Sequence, residues 1–139
     1  MAKNNSQGYP GYLTRELFLS PAFRELKPAA KDILILFYYE IRMKQKDKKG
    51  KESRVVTNKD EIKLTYRQIW DALKYSDKCI WESLKQILAH GFLKVVKYGG
   101  GAKGDVQVYG IREDWRKWTP GQVIYELRKN GKAGWQKSK

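Results

Sequence analysis

Catalytic and metal-binding side chains are scarce in this sequence. One cysteine, Cys79, and one histidine, His90, occur in 139 residues. A single cysteine excludes an internal disulfide and fits a reducing, cytoplasmic setting. Structural zinc sites need several Cys or His ligands, so no metal is expected. The longest apolar run, Ile33 to Tyr39, is too short to cross a bilayer. The polar start, MAKNNSQGYPGY, offers no apolar core for a secretory signal. No nucleophile–base pair is visible. The carboxylates Asp60-Glu61 and Glu113-Asp114 are adjacent pairs near element ends, where capping and solvent-facing roles are the common ones. The glycine-rich tract GGGAKG lacks the Gly-Lys-Ser/Thr ending and following helix of a phosphate-binding loop. No enzyme activity, cofactor or small-molecule ligand is expected.

Positive charge is abundant. Twenty-nine Lys and Arg against fifteen Asp and Glu leave a net charge of +14. A balance this basic repels itself unless an anion is near, and polyphosphate is the usual partner. The surplus is uneven. Arg42 to Arg54 and Arg112 to Lys139 each carry +5, whereas residues 55–111 carry only +3. The most basic stretches therefore flank the middle of the chain. In the first, Lys46, Lys48, Lys49 and Lys51 form a basic loop suited to releasing counterions on phosphate.

Pattern along the chain predicts one α+β domain over 17–131, after a flexible start at 1–16 and before a basic tail at 132–139. Ser20-Pro21 begins a short helix ending near Leu26, with Ser as cap and Pro at the first helical position. Lys27-Pro28 restarts a longer one, AAKDILILFYYEIRMK, apolar on most faces and so central to the core. Lys44 to Arg54 reads as a loop. Val55-Val56 and Ile62-Lys63-Leu64 read as extended, with a turn at Asn58 and Asp60. Thr65 to Gln68 matches a capping box, opening a helix with Ile69, Ala72 and Leu73. Lys74-Tyr75 breaks it. Ser76 caps the next helix, which turns Ile80, Leu84, Ile87 and Leu88 to one face and stops at His90-Gly91. Phe92 to Tyr98 and Val106 to Ile111 make a hairpin. Thr119-Pro120-Gly121-Gln122 looks like another capping box, opening a last helix with Val123, Ile124 and Leu127 inward and its end at Gly131.

From Ile62 the order is strand, helix, tight turn, helix, hairpin. The stretch LTYRQIWDALKYSDKCIWESLKQILAHGFLKVV resembles winged helix-turn-helix domains of bacterial, plasmid and phage DNA-binding proteins. The likeness lies in Leu64-Thr65 before the first helix, Ser76 capping the second, and the Gly91-Phe92-Leu93 exit. The upstream SPAFRELKPAAKDILILFYYE and downstream REDWRKWTP segments are similar to the lead-in and exit of plasmid replication-type and phage-encoded members. The likeness spans roughly Leu17 to Pro120. It implies a double-stranded DNA partner, a recognition helix in the major groove and a wing on phosphate, in transcription regulation or DNA replication. Two departures stand out: Lys74 where the turn usually has Gly, and Glu82 where the recognition helix often has Arg.

Subtracting the buried face leaves Asp77, Lys78, Trp81, Glu82 and Lys85 outward on the second helix. Lys78 and Lys85 are the expected groove or phosphate contacts. Glu82 suits a cytosine amine. Trp81 reads either as a thymine-methyl contact or, more commonly for a large aromatic, as packing. Tyr66 and Arg67 sit at a helix start facing backbone phosphate. Lys94, Lys97 and Lys103 belong to the wing. Five Trp and nine Tyr also suggest single-strand stacking, although Tyr38, Trp70 and Tyr109 sit at core-like positions and Trp115 and Trp118 suit the edge of the core. A protein-interaction or homodimerising module, with the last helix as its face, is the other alternative.

Overall fold

The computed structural model describes residues 13–45, 54–99 and 106–128. The elements are α1 (Arg15–Leu19), α2 (Pro21–Glu25), α3 (Pro28–Tyr38), β1 (Met43–Gln45), β2 (Arg54–Val56), β3 (Ile62–Lys63), α4 (Tyr66–Leu73), α5 (Asp77–Ala89), β4 (Leu93–Lys97), β5 (Val108–Ile111) and a 3₁₀ turn (Asp114–Lys117). The fold is α+β. Three strands form an antiparallel sheet in the order β3-β5-β4, and β1 pairs with β2 as a separate hairpin. No described helix is long and apolar enough to cross a membrane.

Helix α1 was not expected: the sequence pattern opens its first helix at Ser20-Pro21 and leaves 1–16 flexible, whereas Arg15 to Leu19 are helical. The Thr14 side chain accepts from Leu17 N–H, and Leu17 is buried. Ser20 then serves two helices at once. Its hydroxyl donates to Leu17 O at 2.7 Å and accepts from Phe23 N–H at 3.2 Å. This ends α1 and caps α2 on one side chain, which is why so short a pair is stable.

Helix α3 is the centre of the core, with Ala30, Ile33, Leu34, Phe37 and Tyr38 buried. Against it packs α5 through Ile80, Leu84, Ile87 and Leu88, all fully buried. Truncating any one of the larger of these to Ala would cost about 2–5 kcal/mol. The expected length of α3 is corrected: it ends at Tyr38, not near Lys44. Asn58 explains the stop. Its amide accepts from Arg42 N–H at 2.8 Å and donates to Glu40 O at 2.9 Å, taking backbone groups that a longer helix would use. Met43–Gln45 then pairs with Arg54–Val56, so the ends of the expected 44–54 loop are strands. Residues 46–53, with Lys46, Lys48, Lys49 and Lys51, lie outside the described residues.

The capping box at Thr65 forms as expected, with both reciprocal bonds present. Helix α4 buries Ile69 and leaves Ala72 exposed. Lys74 closes it in the left-handed region at φ 63°. Gly91, at φ +86°, ends the turn after α5. A β-carbon there would stand 2.9 Å from Asp114 C and from Trp115 N, so the position has neither the conformation nor the space for a side chain.

The last expected helix does not form over the described residues. Gly121 has φ +89°, and Gln122 N–H donates to Thr119 O at 3.0 Å. Pro then Gly at the two central positions is a type II turn, and its left-handed second residue cannot propagate a helix. Gln122 does reach back to Thr119 N–H, at 3.1 Å, but it closes a turn. The chain then runs as a strap along α5: Ile124 N–H donates to Ala89 O and Tyr125 N–H to Leu88 O. Leu127 is buried and Ile124 half-buried, as expected, whereas Val123 is exposed.

Trp115 and Trp118, read from sequence as covering the edge of the core, are both buried. His90 ends α5, as expected of it. Its ring stacks on Trp118 with centroids 4.2 Å apart, and its Nε2 lies 3.0 Å from Glu25 Oε1. The carboxylate can only accept, so Nε2 carries the proton.

Candidate nucleic-acid interface

Helices α4 and α5 are separated by Lys74, Tyr75 and Ser76 alone. Tyr75 pins this turn to α3, its hydroxyl donating to Asp32 Oδ2 at 2.7 Å. That bond holds the Tyr75 proton and raises its pKa above the usual phenol value. Ser76 then caps α5 by accepting from Cys79 N–H at 3.1 Å. With one face of α5 buried against α3, the opposite face is presented to solvent on a rigid support.

On that outer face Asp77, Lys78, Glu82 and Lys85 are exposed. Two acids offset two bases, so the face is formally neutral. Asp77 sits in the first turn, where a carboxylate complements the helix dipole. Trp81 is half-buried and packs against the core, and Lys85 Nζ stands 5.2 Å from its ring centroid. The packing role of Trp81 therefore prevails, with its ring face as a platform that orients Lys85.

Tyr66 is half-buried against the core. Burial, reinforced by nearby Tyr109 and Asp77, pushes its pKa far up, so it stays a neutral phenol. Arg67 is exposed and pairs with Asp71 at 3.3 Å, one helical turn on. Such an exposed pair is weak and exchanges readily for a phosphate.

The hairpin follows α5 after a short turn. Its register is Leu93↔Ile111, Lys94↔Gly110, Val95↔Tyr109, with a shift between Val95 and Lys97. That irregularity leaves both Val96 and Lys97 exposed. Lys94 is exposed too, its Nζ 5.5 Å from the Tyr125 ring centroid. Lys103 lies outside the described residues. Tyr109 points inward, its ring 4.8 Å from Phe37, and burial raises its pKa strongly.

Several features were not expected from sequence. Trp70, placed in the core by pattern, is exposed, with Lys74 Nζ 4.3 Å from its ring centroid. Arg112 pairs with Asp60 at 2.6 Å across the sheet face. Gly110 makes room for that pair, since a β-carbon there would stand 2.5 Å from Asp60 Oδ1. A glycine inside a strand is the one sequence signal of such a close approach, and it was not read as such. The strap also places Arg128 over Tyr98, Cζ 4.2 Å from the ring centroid. Among the described residues no cluster of His, Cys, Asp or Glu is placed to hold a metal.

The chain matches no protein-family model, no curated protein and no solved structure.

Proposed function

We propose that this protein is a winged helix-turn-helix module that binds double-stranded DNA, with α5 in the major groove and the β4–β5 hairpin as the wing. The observation that carries the reading is the α4–turn–α5–β4–β5 order, with α5 seated on α3 by one face and open on the other. An α-helix fits the major groove, and a rigid support fixes how it enters. The net charge of +14 supplies a sequence-independent attraction to phosphate. The near-neutral outer face of α5 makes Lys78, Glu82 and Lys85 sequence readers rather than the main source of affinity.

The test is selection of bound duplexes from a random pool at two salt concentrations. A recovered motif, lost or altered in Lys78→Ala/Lys85→Ala, is the expected result. A motif unchanged by that double substitution removes α5 from the groove. No retention at the lower salt removes DNA binding altogether. A motif is what transcription regulation or origin binding requires. Retention without one assigns an architectural role.

A further inference from the structure

The strap puts cations along one edge of the sheet. Strand β4 is outermost in the order β3-β5-β4, with β5 as its one hydrogen-bonded strand neighbour among the described residues. The strap joins α5 at Leu88 and Ala89 and continues to Arg128, whose backbone N–H donates to the Tyr98 hydroxyl at 3.0 Å just past the end of β4. Along this line Lys94 stands over Tyr125 and Arg128 over Tyr98, and Lys97 is exposed between them in sequence.

We propose that Lys94, Lys97 and Arg128 form a phosphate-binding strip that grips the backbone of the duplex beside the groove entered by α5. This rests on the duplex-binding reading above, in which Lys94 and Lys97 already belong to the wing, and adds Arg128 of the strap, which the helix–turn–helix order does not predict.

Three observations carry it. First, these cations are oriented by aromatic rings or left open. Among the described residues none of the three makes an ion pair, whereas Arg67, Arg112 and Arg116 are each tied to carboxylates. A cation held over a ring face is positioned without losing its outward N–H donors, so little ordering remains when a phosphate arrives. Second, the charge balance favours the strip over the helix. Three bases stand against two acids, Glu126 and Asp114, whose Oδ2 accepts from the Tyr125 hydroxyl, while the outer face of α5 has two of each sign. Third, the two surfaces adjoin. Trp81, Lys85 and Leu88 follow one another at spacings of four and three along one flank of α5, and Leu88 O is where Tyr125 attaches.

The probe is a labelled mixed-sequence duplex of about 30 bp, titrated with the full chain from about 50 to 200 mM salt. Lys94→Gln/Lys97→Gln/Arg128→Gln is expected to reduce the slope of log affinity against log salt by about 2–3. The loss should be equal for all duplex sequences, unlike that of Lys78→Ala/Lys85→Ala. Arg128→Gln alone, a single exposed change, should reduce the slope by about 1 and serves if the triple variant folds poorly. Tyr98→Phe keeps the ring and removes the hydroxyl that holds Arg128, so it should weaken binding less than Arg128→Gln. An unchanged salt slope in the substituted chains, with wild type binding duplex, overturns the strip and leaves the α5 reading standing. A wild type that does not bind duplex overturns both. If the substitutions abolish binding to polyglutamate but leave duplex binding intact, the strip serves an acidic protein and the proposal fails.

Discussion

The backbone N–H of Ile124 donates to the carbonyl of Ala89 at 2.8 Å, and Tyr125 repeats the contact on Leu88 at 3.2 Å. Carbonyls at a helix end lack partners in a following turn; the strap supplies one to Ala89 O and adds a second to Leu88 O, which also accepts from Gly91 N–H. Trp118 holds the start of the strap, its Nε1 donating to Gln122 O at 2.8 Å. The helix proposed to enter DNA is thus tied at its C-terminus by a segment that reaches it only after the whole hairpin has been made. Conformation at the Thr119–Gln122 turn is therefore expected to affect the end of α5.

Gly121→Ala tests that link. A β-carbon at 121 meets nothing within 4 Å, so the cost is backbone conformation alone at φ +89°. Destabilisation of about 1–2 kcal/mol is expected. Hydrogen exchange should quicken at Ile124 and Tyr125, whose N–H groups make the strap's bonds to α5. An unaltered melting temperature would show that the strap contributes nothing to the fold.

Gly91→Ala combines the same backbone penalty with contact at 2.9 Å to the 114–115 backbone and to Ile124 Cδ1. Its cost should exceed that of Gly121→Ala by roughly 1–3 kcal/mol, as overpacking does. Paired denaturant titrations of the two variants give the difference directly. Equal losses would mean that the neighbouring backbone yields freely.

Lys74 is the only non-glycine residue with positive φ among the described residues. Lys74→Gly relieves a strain of about 1–2 kcal/mol. It also loses the cation–ring contact with Trp70, worth about 0.5–1 kcal/mol at an exposed site. A small net stabilisation is expected, larger in the Trp70→Ala background, where the contact is already gone. A double-mutant cycle measures both terms, and destabilisation in both backgrounds contradicts the assignment.

Burial raises the pKa of Tyr66 and of Tyr109 above the ordinary value of 10.0. Below about pH 10 both states keep these protons, and the stabilisation is fully present. Above it the unfolded chain releases protons that the folded chain retains, so stability falls as pH rises. Urea midpoints measured across the alkaline range should drop more steeply for wild type than for Tyr66→Phe/Tyr109→Phe. Parallel curves would show that these phenols do not govern alkaline unfolding.

Local signals in the sequence were reliable where the chemistry acts within a few residues. Ser20, Thr65 and Ser76 were legible as caps because each bonds an N–H three residues on. Ile80, Leu84, Ile87 and Leu88 were legible as one buried face because a helix repeats every 3.6 residues. Among candidate contacts, Lys78, Lys85, Lys94 and Lys97 are all exposed on the elements assigned to them. Trp70 was misplaced because an apolar side chain at a helix position says nothing about whether a neighbour covers it. The end of α3 is beyond local pattern because the side chain that stops it, Asn58, arrives from the connection between β2 and β3.

The sequence by itself determined the helix caps, the buried stripe of α5, the hairpin after Gly91 and the uneven positive charge, since each depends on residues close along the chain. Only the tertiary structure decided how the segment after Trp118 is used. Its capping-box residues were present, but the left-handed Gly121 and the carbonyl of Ala89 at the end of α5 drew it into a strap. Backbone groups far apart in sequence met there, and satisfying them outweighed the weak local preference for a helix.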